Sequence, residues 1–181
     1  MKSIKYFIQF FIILILFVIF RVLGLKLASY VSSKFLSLIG PFFRSRELIE
    51  SNIIKALPDL NQDEIKKISR KMWENYGRIL SEYVFIKKFR KSKSDDYIDI
   101  KGQQILDKIK KDNKPVIFVS GHFNNFELMA MQIEKSGINL AAIYRPLNNK
   151  FLNEKIENIR KNYICKNQIK KGISGTKQLL S

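Results

Sequence analysis

The hydrophobic pattern begins with a long apolar run near the N-terminus. Residues Tyr6 to Phe20 are apolar except for Gln9, and the apolar character continues past Arg21. A helix needs about 20 such residues to cross a bilayer. The following Ala28-Ser29-Tyr30 lacks the small-residue pattern of a signal-peptide cleavage site. We therefore predict an uncleaved membrane anchor over residues 1–25.

Helical patterns follow the anchor and predict a helical region over residues 26–100. The stretch from Leu27 to Phe43 mixes apolar residues with Ser and Lys, which is typical of an amphipathic helix. Such a helix either lies on a bilayer surface or packs into a core, and the pattern leaves both alternatives open. A short helix is predicted over Arg46 to Leu57, with Pro58 ending it.

The best-marked helix begins after Asn61, where Glu64 completes a capping box. Its apolar positions recur every three or four residues and predict a core-facing stripe: Ile65, Ile68, Met72, Tyr76, Ile79 and Tyr83. The aromatic members of such a stripe are more often core than ligand-binding residues. The basic cluster Lys87–Lys93 follows, and it is either a solvated loop or a docking patch.

From residue 101 onward the pattern changes to that of an α/β domain. A helix over Gln103 to Lys111 precedes the apolar run Val116–Val119, which suits a buried parallel strand. A second helix, capped by Asn124 or Asn125 and ended at Gly137, then leads to a second strand over Leu140–Tyr144. We predict a β-α-β unit between residues 116 and 144. An amphipathic helix from Ile173 to Ser181 ends the sequence.

Composition and charge narrow the chemistry of the chain. Its 181 residues carry 33 Lys+Arg against 16 Asp+Glu, a formal net charge of +17. This excess favours an anionic partner such as lipid headgroups, an acidic protein or nucleic acid, although a general bias toward Lys, Ile and Asn contributes to it. With one cysteine, Cys165, and one histidine, His122, the chain can form neither an internal disulfide nor a Cys-based or multi-His metal site. We predict no metal and no cofactor.

The candidate chemistry lies where the first predicted strand ends. His122 leaves that end, and Glu127 lies about one turn into the next helix. Open α/β sheets place their sites at this edge, so the two side chains can converge. A histidine can take a proton from an alcohol near neutral pH, and a carboxylate on its other nitrogen would stabilise the imidazolium. The His-x4-Glu spacing alone is a weak motif, because a lone histidine near an acid is more often structural.

The surrounding residues strengthen that interpretation. The sequence Val-Ile-Phe-Val-Ser-Gly-His-Phe-Asn-Asn-Phe-Glu-Leu resembles the His-x4-Asp/Glu block of glycerolipid-type acyltransferases. It is more closely similar to the lipid A biosynthesis acyltransferases, the lauroyl/myristoyl transferase family. Further blocks resemble that family in the same order: Asn52–Leu60, Trp73–Arg78 with Glu82, Tyr144–Asn149, and Arg160.

The resemblance implies a fold and a function. It implies a glycerolipid-acyltransferase-like sheet flanked by helices, with residues 101–181 as an incomplete α/β core whose C-terminal part is missing. It implies transfer of a fatty acyl chain from acyl carrier protein to a hydroxyl of a lipid A precursor, at the cytoplasmic face of the bacterial inner membrane. His122 would be the general base and Glu127 its partner, while Arg145, Arg160 and Asn149 would bind substrate.

Two alternatives stay open. The first is a glycerolipid acyltransferase of the lysophosphatidate type, against which the Tyr144–Asn149 and Asn52–Leu60 blocks argue. The second is a membrane-tethered basic module that binds acidic proteins or nucleic acid through Lys87–Lys93. Under the main hypothesis the partners are acyl carrier protein, a phosphorylated glycolipid and the membrane, and not nucleic acid. For each predicted arginine, a surface salt bridge is the competing explanation.

Overall fold

The computed structural model describes residues 2–92 and 97–180. It is mostly helical and contains a small two-stranded parallel sheet. The elements, in chain order, are α1 Lys2–Ile39, α2 Arg46–Ala56, α3 Gln62–Glu82, α4 Ile86–Lys91, α5 Gln103–Asp112, α6 Glu127–Lys135, β1 Ala141–Tyr144, α7 Lys150–Tyr163, β2 Asn167–Lys170 and α8 Ile173–Leu180, with 3-10 turns at Gly40–Phe42 and Tyr83–Phe85.

The predicted apolar N-terminal helix is confirmed. The stretch Lys2–Phe42 is long and apolar enough to cross a membrane by length and composition. Within an 18-residue apolar segment of it, 6% is buried inside the protein. Gly24 interrupts α1 with a φ of 74° and a ψ of 165°, a left-handed φ that suits glycine because it has no Cβ. The helix before this interruption, residues 2–23, spans roughly 33 Å, close to the thickness of a hydrocarbon core.

Contacts divide the chain into two compact units, and one of them comprises Leu16–Phe85. Its helices begin where the sequence predicts. Ser45 caps α2 by accepting a hydrogen bond from the amide of Leu48 at 3.2 Å. Asn61 caps α3, and the amide of Asn61 donates in return to the Glu64 carboxylate at 2.9 Å, which completes the predicted capping box. Of the predicted α3 stripe, Ile65 is fully buried whereas Tyr76 is exposed.

The other unit combines the residues up to Ile15 with those from Ile86 onward. Strands β1 and β2 pair in parallel, in a register that runs from Ala141 opposite Asn167 to Tyr144 opposite Lys170. Helix α7 connects them. The predicted second strand is therefore confirmed, but the β-α-β unit lies one strand later than predicted, between residues 141 and 170.

The predicted strand over Val116–Val119 is wrong. These residues lie outside the strands of the described chain, and Ile117 and Val119 are each 90% exposed. A continuous apolar run has strand composition, but it becomes a strand only where a neighbouring backbone supplies a ladder. Here β1 pairs with β2 instead.

Two local predictions need smaller corrections. Helix α6 begins at Glu127 with Phe126 at the N-cap position, so neither Asn124 nor Asn125 caps it through its side chain. Asn124 instead takes a left-handed φ of 47° in the preceding turn. The basic cluster is also not a loop, because α4 extends through Lys91. The last residue of that cluster, Lys93, lies outside the described residues.

Candidate active site at the start of helix α6

Glu127 is a buried carboxylate at the first residue of α6, with 5% of the residue exposed. Arg160, on the last turn of α7, donates to it. The distances to Glu127 Oε1 are 2.8 Å from Nε and 2.5 Å from Nη2. The structure therefore brings together two of the residues that the sequence predicts for the site.

The electrostatics of this pair explain its position. A carboxylate at a helix N-terminus is stabilised by the unpaired amides and the helix dipole. A buried charge still needs a partner of opposite sign, because desolvation of a lone ion costs several kcal/mol. Arg160 supplies that partner, and two nitrogens of its guanidinium hold Glu127 Oε1 in place through charge-assisted hydrogen bonds.

Tyr144 extends this cluster to the end of β1. The guanidinium carbon of Arg160 lies 5.6 Å from the centre of the Tyr144 ring, within the range of a cation–π contact. Burial raises the pKa of the Tyr144 phenol to about 12, and the nearby Glu157 carboxylate adds to the increase. The Tyr144 ring is therefore a neutral platform beneath Arg160 at physiological pH.

Glu157 carries the second negative charge of the cluster. Lys161 Nζ lies 2.8 Å from Glu157 Oε1, and Lys170 Nζ lies 3.8 Å from Oε2. The hydrogen bond from Lys161 is the main cause that lowers the pKa of Glu157. Both acidic residues of the cluster thus have basic partners on α7 or β2.

His122 lies on the exposed segment that leads into α6. Its ring packs edge-on against the Phe126 ring, with centroids 4.4 Å apart and an interplanar angle of 66°. The side chain is therefore accessible to a substrate, and Phe126 restricts its orientation. The predicted hydrogen bond between His122 and Glu127 stays a prediction.

The other predicted site residues occupy two different environments. Arg145 is exposed just after β1. Asn149 is buried and caps α7, because its Oδ1 accepts a hydrogen bond from the Leu152 amide at 3.2 Å. Its Nδ2 donates to the carbonyl oxygen of Tyr6 at 2.8 Å, which ties the first turns of α1 to α7. The polar atoms of Asn149 thus have partners within the fold, and its binding role stays a prediction.

Sequence reasoning missed the environment of Arg160. The sequence predicted that Arg160 binds an anionic ligand or forms a surface salt bridge. In the structure it pairs with the buried Glu127, which lies 33 residues away in the chain. A contact at that separation leaves no local signal. Glu157 was missed as well, although its spacing of three residues from Arg160 and four from Lys161 is that of neighbours on one helix face.

Comparison with known proteins identifies a family for this chain. A family model described as bacterial lipid A biosynthesis acyltransferase matches residues 1–177. No curated protein and no solved structure matches the chain significantly. The family match covers the N-terminal helix, the His122 segment and the Glu127–Arg160 pair, and the chain therefore belongs to the bacterial lipid A biosynthesis acyltransferases.

Proposed function

We propose that the protein transfers a fatty acyl chain from acyl carrier protein to a hydroxyl group of a lipid A precursor. The observation that carries this proposal is the start of α6, where an exposed histidine precedes a buried carboxylate that Arg160 holds in place. Family membership supplies the reaction class. The acyl donor, the acceptor and the residue roles are our inference.

In this mechanism His122 is the general base. It accepts the proton of the acceptor hydroxyl while that oxygen attacks the thioester carbonyl carbon of the donor. The carbon–sulfur bond then breaks, and the departing thiolate takes the proton from the imidazolium. The products are the acylated lipid and the free thiol of the carrier, and the histidine returns to its neutral form.

Glu127 would stabilise the imidazolium that forms during the reaction, as the acid does in hydrolytic triads. Its orientation matters because a carboxylate free to rotate would lose part of this effect. The two hydrogen bonds from Arg160 hold Oε1 in place and so restrict rotation of the carboxylate. Arg160 can therefore contribute by positioning Glu127, in addition to the anion-binding role that the family resemblance implies.

The charge of the chain suits two negative substrates. A net charge of +17 attracts both an acidic carrier protein and a phosphorylated glycolipid, and this attraction weakens as salt screens it. Arg145 is exposed and available for bidentate contact with a phosphate. Asn149, which caps the start of α7, is the third proposed substrate-binding residue.

We further infer that α1 anchors the protein in the bacterial inner membrane, with the catalytic body at its cytoplasmic face. The length and the apolar surface of α1 support this location, because the acceptor is itself a membrane lipid. We also propose that the two strands belong to a glycerolipid-acyltransferase-like sheet.

The test pairs two donors with two acceptors. The protein in membranes is assayed with acyl carrier protein or coenzyme A thioesters, and with a lipid A precursor or lysophosphatidate. We expect product only from the carrier-bound donor and the lipid A precursor. Product from lysophosphatidate would instead identify a glycerolipid acyltransferase.

The role of His122 has its own prediction. His122→Ala should reduce turnover at least about a hundredfold, which is the usual contribution of a general base. The neighbouring Phe123 is 83% exposed, so Phe123→Ala is a matched control and should retain most of the activity. Near-normal turnover in His122→Ala would overturn the assignment, and binding of acidic proteins that depends on Lys87 and Lys88 but not on His122 would favour the basic module.

A further inference from the structure

The part of α1 after Gly24 exposes its large apolar residues and buries its small ones. Its buried residues are Ala28, Ser32 and Ser33. Its exposed large residues lie on the opposite face and comprise Leu27, Tyr30, Val31, Phe35 and Leu38. A helix in a water-soluble fold has the reverse arrangement, with its apolar face toward the core.

The buried face is built for close contact with α3. The Ser32 hydroxyl donates to the carbonyl oxygen of Gly77 at 2.7 Å. A Cβ at Gly77 would overlap the backbone of Ser32, so the two helices touch through their main chains. Small residues between helices, with large ones turned outward, are characteristic of helices that contact lipid.

The exposed face continues beyond the end of α1. Phe42 and Phe43, in the turn after the helix, are 85% and 75% exposed. Lys26 precedes the apolar face and Arg44 follows these two rings, and both side chains are exposed. The surface thus combines apolar residues with basic residues at its two ends.

Lys34 is the one charged residue within the apolar face, and its charge is compensated. Its Nζ lies 3.1 Å from Glu74 Oε1 on α3 and 5.9 Å from the centre of the Tyr30 ring. A lysine with a carboxylate partner and a long apolar stem can lie at a lipid interface, with its ammonium directed toward the polar side.

We propose that residues 27–43 form a second membrane contact, which lies in the headgroup region of an anionic bilayer. Leu27, Val31, Leu38 and Phe42 face the acyl chains, and Lys26 and Arg44 contact the phosphates. The break at Gly24 separates this interfacial segment from the apolar helix before it. This surface is continuous in the chain with the apolar helix, and the basic residues at its two ends complement anionic lipid headgroups. We therefore infer that a bilayer covers it. The proposal does not depend on acyl transfer.

The experiment measures the depth in the bilayer at single labelled positions of the 181-residue chain. Cys165 is buried and donates to the carbonyl oxygen of Leu140, so Cys165→Ser keeps a hydrogen-bond donor there and removes the one cysteine of the 181-residue sequence. Leu38→Cys and Phe42→Cys place an environment-sensitive fluorophore on the proposed surface without removing buried packing. Lys67→Cys is the matched control, since Lys67 is exposed on α3 of the same unit.

The labelled proteins are reconstituted into vesicles of phosphatidylethanolamine and phosphatidylglycerol. An interfacial segment lies about 5–10 Å into the headgroup boundary, so aqueous iodide should quench the labels at positions 38 and 42 about threefold less than the label at position 67. A quencher attached to the lipid acyl chain near the headgroup should quench the labels at positions 38 and 42 more than the label at position 67.

Two outcomes would overturn the proposal. In the first, iodide reaches all three positions equally, which would leave the apolar face in water. In the second, positions 38 and 42 are protected only at high protein-to-lipid ratios and become accessible on dilution with lipid, which would assign the surface to a second copy of the chain. In both cases acyl transfer could remain intact, so the two proposals fail independently.

Discussion

Among the ion pairs that join helices in the described residues, two differ in how far water reaches them. Glu127 and Arg160, which join α6 to α7, have side chains that are 6% and 14% exposed. Glu74 and Lys34, which join α3 to α1, have side chains that are 14% and 56% exposed. The first pair has lost most of its water, whereas the lysine of the second remains solvated. We infer that charge holds the α6–α7 contact together, and that close packing of small residues holds the α1–α3 contact.

The largest expected effect follows from removing one partner of the buried pair. Glu127→Ala leaves Arg160 desolvated without its carboxylate, which costs about 3–5 kcal/mol in the free energy of unfolding. Thermal or denaturant unfolding in detergent measures this cost. The double variant Glu127→Ala/Arg160→Met should recover part of the loss, because it removes both charges. A cost no larger than that of Glu74→Ala would contradict the distinction between the two pairs.

The next effect concerns the backbone contact in the other region. Gly77→Ala places a methyl group against the main chain of Ser32, which has no flexible end to move aside. Overpacking of this kind costs about 1–3 kcal/mol. The control is Ser32→Ala, which removes only the hydrogen bond to Gly77 and should cost about 1 kcal/mol. If Gly77→Ala unfolds like the wild type, close packing does not hold α1 and α3 together.

These two regions also show what the sequence can reveal. The capping box of Asn61 and Glu64, the apolar N-terminal helix and the second strand were predicted because their signals lie within a few residues of one another. The Glu127–Arg160 pair was not predicted, because its members are 33 residues apart. The family resemblance marked both residues as important, but it gave no reason for them to meet.

The incorrect strand has a related cause. The Val116–Val119 run has the composition of a buried strand, but its burial depends on which backbone lies beside it, and composition carries no such information. Asn149 has a contact that its local sequence does not indicate. Its substrate-binding role stays a prediction, and the structure adds that it caps α7 and donates to the backbone of Tyr6, 143 residues earlier in the chain.

A titration sharpens the description of the Arg160 cluster. The pKa of Tyr144 is raised to about 12, so this phenol favours folding below its unfolded pKa of about 10 and the contribution is lost as the pH rises from about 10 to 12. The absorbance of tyrosinate should show a late component near pH 12 that is missing in Tyr144→Phe. Tyr97→Phe removes an exposed tyrosine and is the control. If the late component survives in Tyr144→Phe, the ring beneath Arg160 is not buried as described.

The smallest effect belongs to the solvated pair. The hydrogen bond from Lys34 lowers the pKa of Glu74, so the pair favours folding above the ordinary pKa of a glutamate, and this contribution is lost as the pH falls through the lowered value. Lys34→Met should therefore weaken the acid dependence of the melting temperature below about pH 4.5, the ordinary range for this carboxyl. Near neutral pH, Lys34→Met should change the free energy of unfolding less than Gly77→Ala does, because exposed pairs contribute little.

High salt should reduce the difference in stability between Lys34→Met and the wild type, whereas it should leave the cost of Glu127→Ala almost unchanged. A salt-insensitive loss at Lys34 would mean that this ammonium is desolvated too, and the contrast between the two ion pairs would then disappear.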